Sequence, residues 1–343
     1  MTIRVLGIDI AKSVFQLHGA DTAGRAVLRK RLPRHKLAAY IANLPACTIV
    51  LESCGGATYW ARVFQRSGHT VKLISPQFVK PFVKTNKNDA NDALAIVEAA
   101  SRPSMNYVPI KQVEQQDIQS IHRIRTRIVK NRTALINEIR GLCLEYGIVV
   151  MPGAATLKSS LCTIIADGAN ELTCTSRESM QDLYDELADI EIRLKKLDTK
   201  IRVLCRLNEN CKRILKIPGI GELTATAIVA AVPDPKEFRN GRHMSAWLGL
   251  VPRQSSSGDK QILRGISKRG DRYLRTLLIH GARAVLSHYK DLDNDYNRWV
   301  GRKKATLSHN KAAVALANKN ARIIWSMLNT GDEFSYGVQT AAA

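Results

Sequence analysis

Four carboxylates stand where metal-assisted chemistry would need them: Asp9 in VLGIDIAK, Glu52 in TIVLES, and Asp89 and Asp92 in NKNDANDA. Asp9 and Glu52 each lie at the far end of a short apolar run, residues 5–10 and 48–51, that reads as a buried β-strand. An acid in such a place is costly unless it is paired or binds a cation. Asp89 and Asp92 are three apart and project from one face of a helix, about a turn from each other. Magnesium prefers oxygen donors, and two such ions roughly 3.5–4 Å apart stabilise the attacking and leaving oxygens of a phosphodiester exchange together. Four acids from two strands and a helix supply about the charge that two divalent cations balance. Taken singly they have plainer accounts: Asp89 as a helix N-cap, Asp92 as a solvated first-turn residue. Asp9 is harder to explain that way.

A second group is Ser255, Ser256 and Ser257 before Gly258, inside residues 236–275, where ten Lys and Arg face three acids. A serine hydroxyl is a weak nucleophile and needs a base, a metal or surrounding positive charge. Two roles stay open for these hydroxyls. A covalent serine–phosphate would conserve the energy of the phosphodiester, so strands could be rejoined without a nucleotide cofactor. A loop whose hydroxyls touch DNA backbone would have the same composition.

The whole chain is basic. Its 343 residues carry 52 Lys and Arg against 30 Asp and Glu, a formal net charge of +22. Such an excess favours a polyanionic partner, because each neutralised phosphate releases counterions; a merely basic or ribosome-associated protein would share it. The seven cysteines (47, 54, 143, 162, 174, 205, 211) form no CxxC pair and read as reduced core residues. No apolar run approaches the roughly 20 residues of a membrane span. The chain begins directly with a strand and lacks a signal-peptide pattern, so the expected place is the cytoplasm.

Elements must hold these groups. Residues 4–10, 14–18 and 26–31 read as a meander of three strands, followed by a helix (36–43), a strand (48–52), a helix (59–67) and a strand (71–74). The order βββαβαβ is that of an RNase H-like sheet, with acids on the first and fourth strands. Residues 89–100 form a helix, and Pro103 and Pro109 mark a boundary. Residues 112–147 read as one long helix whose segment 119–132 holds Arg123, Arg125, Arg127, Lys130 and Arg132 and no acid, a candidate track for a phosphate backbone. Met180, Leu183, Leu187, Ile190, Leu194, Leu197, Ile201 and Leu204 keep a heptad seam, which suits a coiled coil between protomers or a hairpin with the 112–147 helix; the unbroken seam favours self-association. Residues 214–232 resemble a helix–hairpin–helix in which the turn at Gly219 and Gly221 frees amides for a phosphate. Residues past Asn329 lose periodicity.

LGIDIAK, LESCGGATYW, SPQFVKPFVKTNKNDANDA, IPGIGELTATAIVAAV, AWLGLVPRQSSSG and GISKRGDRYLRTLLIHGARA together resemble the DEDD transposases of bacterial insertion sequences. The resemblance is to the insertion-sequence-110 family and, within it, the 1111 subgroup, over about residues 3–290. It implies an α/β plus α chain, bacterial and at the nucleoid when active: a RuvC-like catalytic domain (1–110), a basic helix and coiled coil (111–210) and a mainly helical C-terminal transposase domain (211–329), after which the loss of periodicity leaves 330–343 as a disordered tail. It also implies a bridge-RNA-guided recombinase whose non-coding RNA pairs with donor and target DNA. Asp9 and Glu52 match the first two family acids, and Asp89 and Asp92 the closing D-x-x-D pair, as ligands of Mg2+. The serine directly before glycine matches Ser257 as nucleophile, with the register open to Ser256 or Ser255. A homo-oligomer, dimer to tetramer, would act on the synapse.

Arg253, Lys260 and Arg264 are the cations expected near the serine, and Lys268 and Arg269, with Gly219 and Gly221, are further candidate nucleic-acid contacts. Three other classes compete: a RuvC-type nuclease that hydrolyses with water, a non-catalytic basic nucleic-acid-binding protein, and an actin-like ATPase. The last needs a second such domain with glycine-rich phosphate loops, and none is visible.

Overall fold

A computed structural model describes residues 2–83, 89–257 and 260–337, with side chains for all of these except 89–90, 256–257 and 260–261. The chain divides into two compact units, Met1–Gln112 and Val113–Ala343.

The first unit is a six-stranded mixed sheet. Its elements are β1 (Val5–Ile10), β2 (Val14–Ala20), β3 (Ala26–Pro33), α1 (Arg34–Ala42), β4 (Thr48–Glu52), α2 (Ala57–Arg66), β5 (Thr70–Ile74), α3 (Pro76–Val79), α4 (Asp89–Ala100) and β6 (Tyr107–Val108). The strand order is β3-β2-β1-β4-β5-β6. β1 and β2 pair antiparallel, whereas β4 lies parallel to β1 and β5 parallel to β4. The edge strand β3 carries Arg29, Lys30 and Arg31, charges that discourage pairing with another chain. Side-chain alternation sorts the two faces. Leu6, Ile8, Ile49 and Leu51 are buried with Trp60 and Phe64 of α2 and Leu37 and Ile41 of α1. On the other face Val50 and Ile74 are buried with Ala95, Ile96 and Ala99 of α4.

The second unit is almost all helix. It contains α5 (Val113–Glu145), α6 (Ala154–Ala166), α7 (Cys174–Leu207), α8 (Glu209–Ile214), α9 (Glu222–Ala231), α10 (Gly241–Trp247), the hairpin β7 (Pro252–Ser257) and β8 (Lys260–Ile266), α11 (Arg272–Ser287), α12 (Asp295–Thr306) and α13 (His309–Thr330). A capping box between Thr173 and Ser176 starts α7, and Gly331 in the left-handed region ends α13.

Three of the expected features take a definite form in the structure. The heptad seam of α7 is spent inside the chain: Met180, Leu187, Ile190 and Leu194 are buried with Ile128, Leu135, Ile136, Ile139 and Cys143 of α5 and with Leu157 and Leu161 of α6. The arrangement is the hairpin rather than an open seam, because a helix as long as α5 with its own apolar stripe covers α7 locally. The contacts divide the chain after Gln112, and α9 packs on both α5 and α7. The tail is ordered as far as its last described residues: Phe334 and Tyr336 pack edge-on against Tyr296, whose amide donates to the Tyr336 carbonyl. Residues 338–343 lie outside the described residues.

A consequence can be measured. Leu187→Asp combined with Leu194→Asp places two acids at positions 0% and 6% exposed, each costing several kcal/mol. The double variant is expected to lower the melting temperature by more than about 10 °C in circular dichroism. A variant that melts normally but loses assembled mass in light scattering would restore the intermolecular seam.

Candidate active site and nucleic-acid interface

The register of the sheet brings two of the predicted acids together. Ile8 pairs with Leu51 across the parallel β1–β4 ladder, so Asp9 and Glu52, one residue further on each strand, end neighbouring strands about 4.8 Å apart. They alternate with Ile8 and Leu51, which are buried on the α1–α2 side, and so both belong to the opposite face. Gly7, on the same face as Asp9, explains how α4 comes so close. A Cβ there would lie 2.7 Å from the Ala93 carbonyl and 2.6 Å from a Val97 methyl, so any other residue would push the helix away. Val5 packs against the cluster that includes Ala95, Ile96 and Ala99, Gly7 meets Ala93 and Val97, and Asn91 shares a cavity with Gln16, the β2 partner of Asp9. The helix therefore runs back along β1, and its first turn, with Asp92, lies at the Asp9 end.

Cys54, two residues beyond Glu52, registers the charge of this corner. Desolvation pushes its thiol pKa up, and the Glu52 and Asp9 carboxylates push it further. Oxygen donors from two strands and a helix fit a hard divalent cation and suit neither soft-metal nor redox chemistry. Among the described residues no three His, Cys, Asp or Glu side chains form a metal cluster, and the Asp89 side chain lies outside them. Only its place two residues before the acid hints at Gly7 in the sequence.

The serines lie on the hairpin of the other unit. Ser255 pairs with Ile262, Ser256 with Gln261 and Ser257 with Lys260, so Ser257 and Lys260 flank the turn; Gly258 itself lies outside the described residues. Arg253 and Arg264 are exposed on the hairpin, as are Lys268 and Arg269 just after it. The base of the hairpin is tied down by Arg275, only 8% exposed, whose guanidinium donates to the carbonyls of Leu248 and Arg269 at 3.0 Å each. Arg275 is one of the ten cations of residues 236–275, and its burial gives it a structural place.

The basic run on α5 separates into kinds. Arg123, Arg127 and Lys130 are exposed and share one face. Arg125 instead donates to Asp198 of α7 at 2.6 Å, and the Nε of Arg132 is buried. Gly219, expected to offer amides to a phosphate, is packed against α11: a Cβ on it would come within 2.6 Å of the Gly281 carbonyl. The turn is a point of helix packing, with the Pro218 carbonyl accepting from Asn320. Gly221 is exposed, but the acid Glu222 follows it in the first turn of α9.

His122, within the basic run, is 4% exposed. The Thr226 hydroxyl donates to the Glu222 carbonyl, so it accepts from Nε2 of His122 at 3.0 Å, which leaves Nδ1 to accept from the Tyr273 hydroxyl at 2.9 Å. That assignment requires a neutral ring. Burial, and then the charge of Arg125, lower its pKa to about 4. With the folded value below the ordinary 6.5, the unfolded chain takes up this proton first. The stability held by the neutral ring is complete above about pH 6.5 and declines as the pH falls toward 4, by up to about 3 kcal/mol. Denaturant titrations of His122→Gln should show a correspondingly shallower fall of stability between pH 6.5 and 4. Parallel curves for variant and parent would exclude a neutral buried ring.

Family comparisons bear on both units. Residues 6–148 match a DEDD family model described as "Transposase", and residues 211–297 match "Transposase IS116/IS110/IS902 family". The chain belongs to this transposase family. It is 48% identical over 330 residues to the "Probable family 20 transposase" of Pseudomonas aeruginosa, covering 96% of this chain and 98% of that protein. The "Transposase for insertion sequence element IS1111A" of Coxiella burnetii is 47% identical, with 98% of this chain and 92% of that protein covered. The "Transposase for insertion sequence element IS1328" of Yersinia enterocolitica is 38% identical over 97% and 99%. This transposase thus carries all four acids inside one matched segment and the serine hairpin inside the other. Among the described residues, no helix is long and apolar enough to cross a membrane.

Proposed function

We propose that this transposase cuts and rejoins DNA through a serine–phosphate intermediate, guided by a structured RNA from its own element. The observation that carries the reading is the side-by-side ending of Asp9 and Glu52 on the sheet face covered by α4, whose first turn holds Asp92. In this reading the first unit is an RNase H-like, RuvC-like domain, and Asp9, Glu52, Asp89 and Asp92 hold magnesium. Bound there, Mg2+ would polarise the scissile phosphate and offset its charge.

The chain's own groups do the rest. The Ser257 Oγ attacks phosphorus, an Oγ–P bond forms and the P–O3′ bond breaks, and the serine proton ends on the released 3′-oxygen. A 3′-hydroxyl of the exchanged strand then attacks the phosphoserine, restoring the phosphodiester and the serine. Arg253, Lys260 and Arg264 stabilise the charge that builds on the phosphoryl oxygens. Arg123, Arg127 and Lys130, with Lys268 and Arg269, contact backbone phosphates. Self-association to a dimer or tetramer uses a surface other than the α7 seam, which α5 covers.

The test is a denaturing gel of the protein with labelled donor DNA, RNA transcribed from the DNA beside the gene, and magnesium. A covalent protein–DNA band that requires the RNA supports the proposal. Cleavage without any such band would make the enzyme a hydrolytic nuclease.

A further inference from the structure

Between α5, α9 and the start of α11 lies a cavity of about 350 Å³, within the usual range of small-ligand pockets. Its lining is divided by chemistry. Arg123, Arg127 and Lys130 bring three cations from one face of α5, while Ala227, Ala231 and Leu274 form an apolar side beside the Tyr273 ring. The single acid on its wall, Asp271, is occupied at the start of α11, where its carboxylate accepts from the amides of Tyr273 and Leu274.

The position of Tyr273 is fixed from below. Its hydroxyl donates to His122, which donates to Thr226, which donates to the Glu222 carbonyl. Tyr273 and His122 meet edge to face, 5.6 Å between ring centres. A pre-set aromatic ring, an apolar side that includes two alanines, and three exposed cations form a lining that a nucleotide complements: base against ring and apolar wall, phosphate against the cations. A paired base cannot enter, because its face and edge are already occupied in the duplex.

We infer that this cavity receives one unpaired nucleotide of a bound strand. The inference rests on the nucleic-acid reading above and adds to it a place where a strand is held open, lined by none of the proposed acids or serines.

Fluorescence anisotropy in EDTA, which prevents cleavage, tests it with single-stranded DNA, single-stranded RNA and duplex DNA of one sequence. Each carries a 2-aminopurine whose emission reports unstacking. Ala231→Phe fills the cavity from the partly exposed end of α9. It is expected to weaken single-strand binding about tenfold, to remove the change in 2-aminopurine emission, and to alter duplex binding less than twofold. The exposed Arg127→Gln is the control for folding: it should weaken single strands more than duplex and reduce the slope of log affinity against log salt by about one. Tighter RNA than DNA binding makes the guide the occupant, and the reverse makes it a DNA strand; either supports the cavity. Equal losses on single strand and duplex in both variants, or unchanged single-strand binding with Ala231→Phe folded, would overturn it. Absence of all nucleic-acid binding by the parent protein would instead sink the reading beneath it.

Discussion

Ser257→Ala is expected to abolish the covalent protein–DNA band and to slow strand exchange by on the order of 10³ or more, the scale seen when an enzyme loses its nucleophile. Affinity for RNA and DNA should stay within about twofold, because it rests on many phosphate contacts spread over a chain of charge +22. Serine alkoxide is strongly disfavoured at neutral pH, so the hydroxyl needs help from nearby charge or a metal. The hairpin offers the charge: Ser257 pairs with Lys260 beside the turn, and Arg253 and Arg264 are exposed on the same two strands. Ser256→Ala should be milder, since that residue pairs with Gln261 rather than with a cation. The register is decided by the same gel. A band that survives in Ser257→Ala and disappears in Ser256→Ala moves the nucleophile by one residue.

What could be read from the sequence, and what could not, follows from the range of the interactions involved. Strands such as Val5–Ile10 and Thr48–Glu52 announce themselves by local apolar runs with an acid at or next to their last residue, and the family motifs name the acids. That Asp9 and Glu52 end neighbouring strands depends on the parallel β1–β4 register, a contact across some forty residues that no local pattern encodes. The α7 seam shows the opposite failure. Its heptad spacing was correct, but spacing cannot say whether the partner is another chain or α5 of the same one. The PGIG turn is ambiguous for a related reason: one that frees amides and one that lets Gly281 approach have the same local sequence. His122 left no trace at all, since one histidine among arginines acquires meaning only when Thr226 and Tyr273 arrive from distant elements.

Asp9→Asn, Glu52→Gln, Asp89→Asn and Asp92→Asn should each reduce cleavage and strand exchange to background, a loss on the order of 10³ or more. Each replacement keeps the shape of the side chain, so α4 can still close over Gly7 at the contacts with Ala93 and Val97. What changes is one negative charge and one strong oxygen donor at a site proposed to balance two divalent ions. Nucleic-acid affinity should hold or rise slightly, because each variant makes an already basic chain more positive. A readout independent of catalysis separates loss of metal from loss of fold. Magnesium should raise the melting temperature of the parent protein by stabilising the folded form, and this rise should shrink in Asp9→Asn and Glu52→Gln while their melting without metal stays near that of the parent. Asp9→Asn should also relieve some of the pressure on the Cys54 thiol, whose pKa is raised in part by the Asp9 carboxylate, and thereby speed its alkylation at neutral pH. Recombination at parental rates by any two of the four variants would show that these acids do not form the catalytic centre.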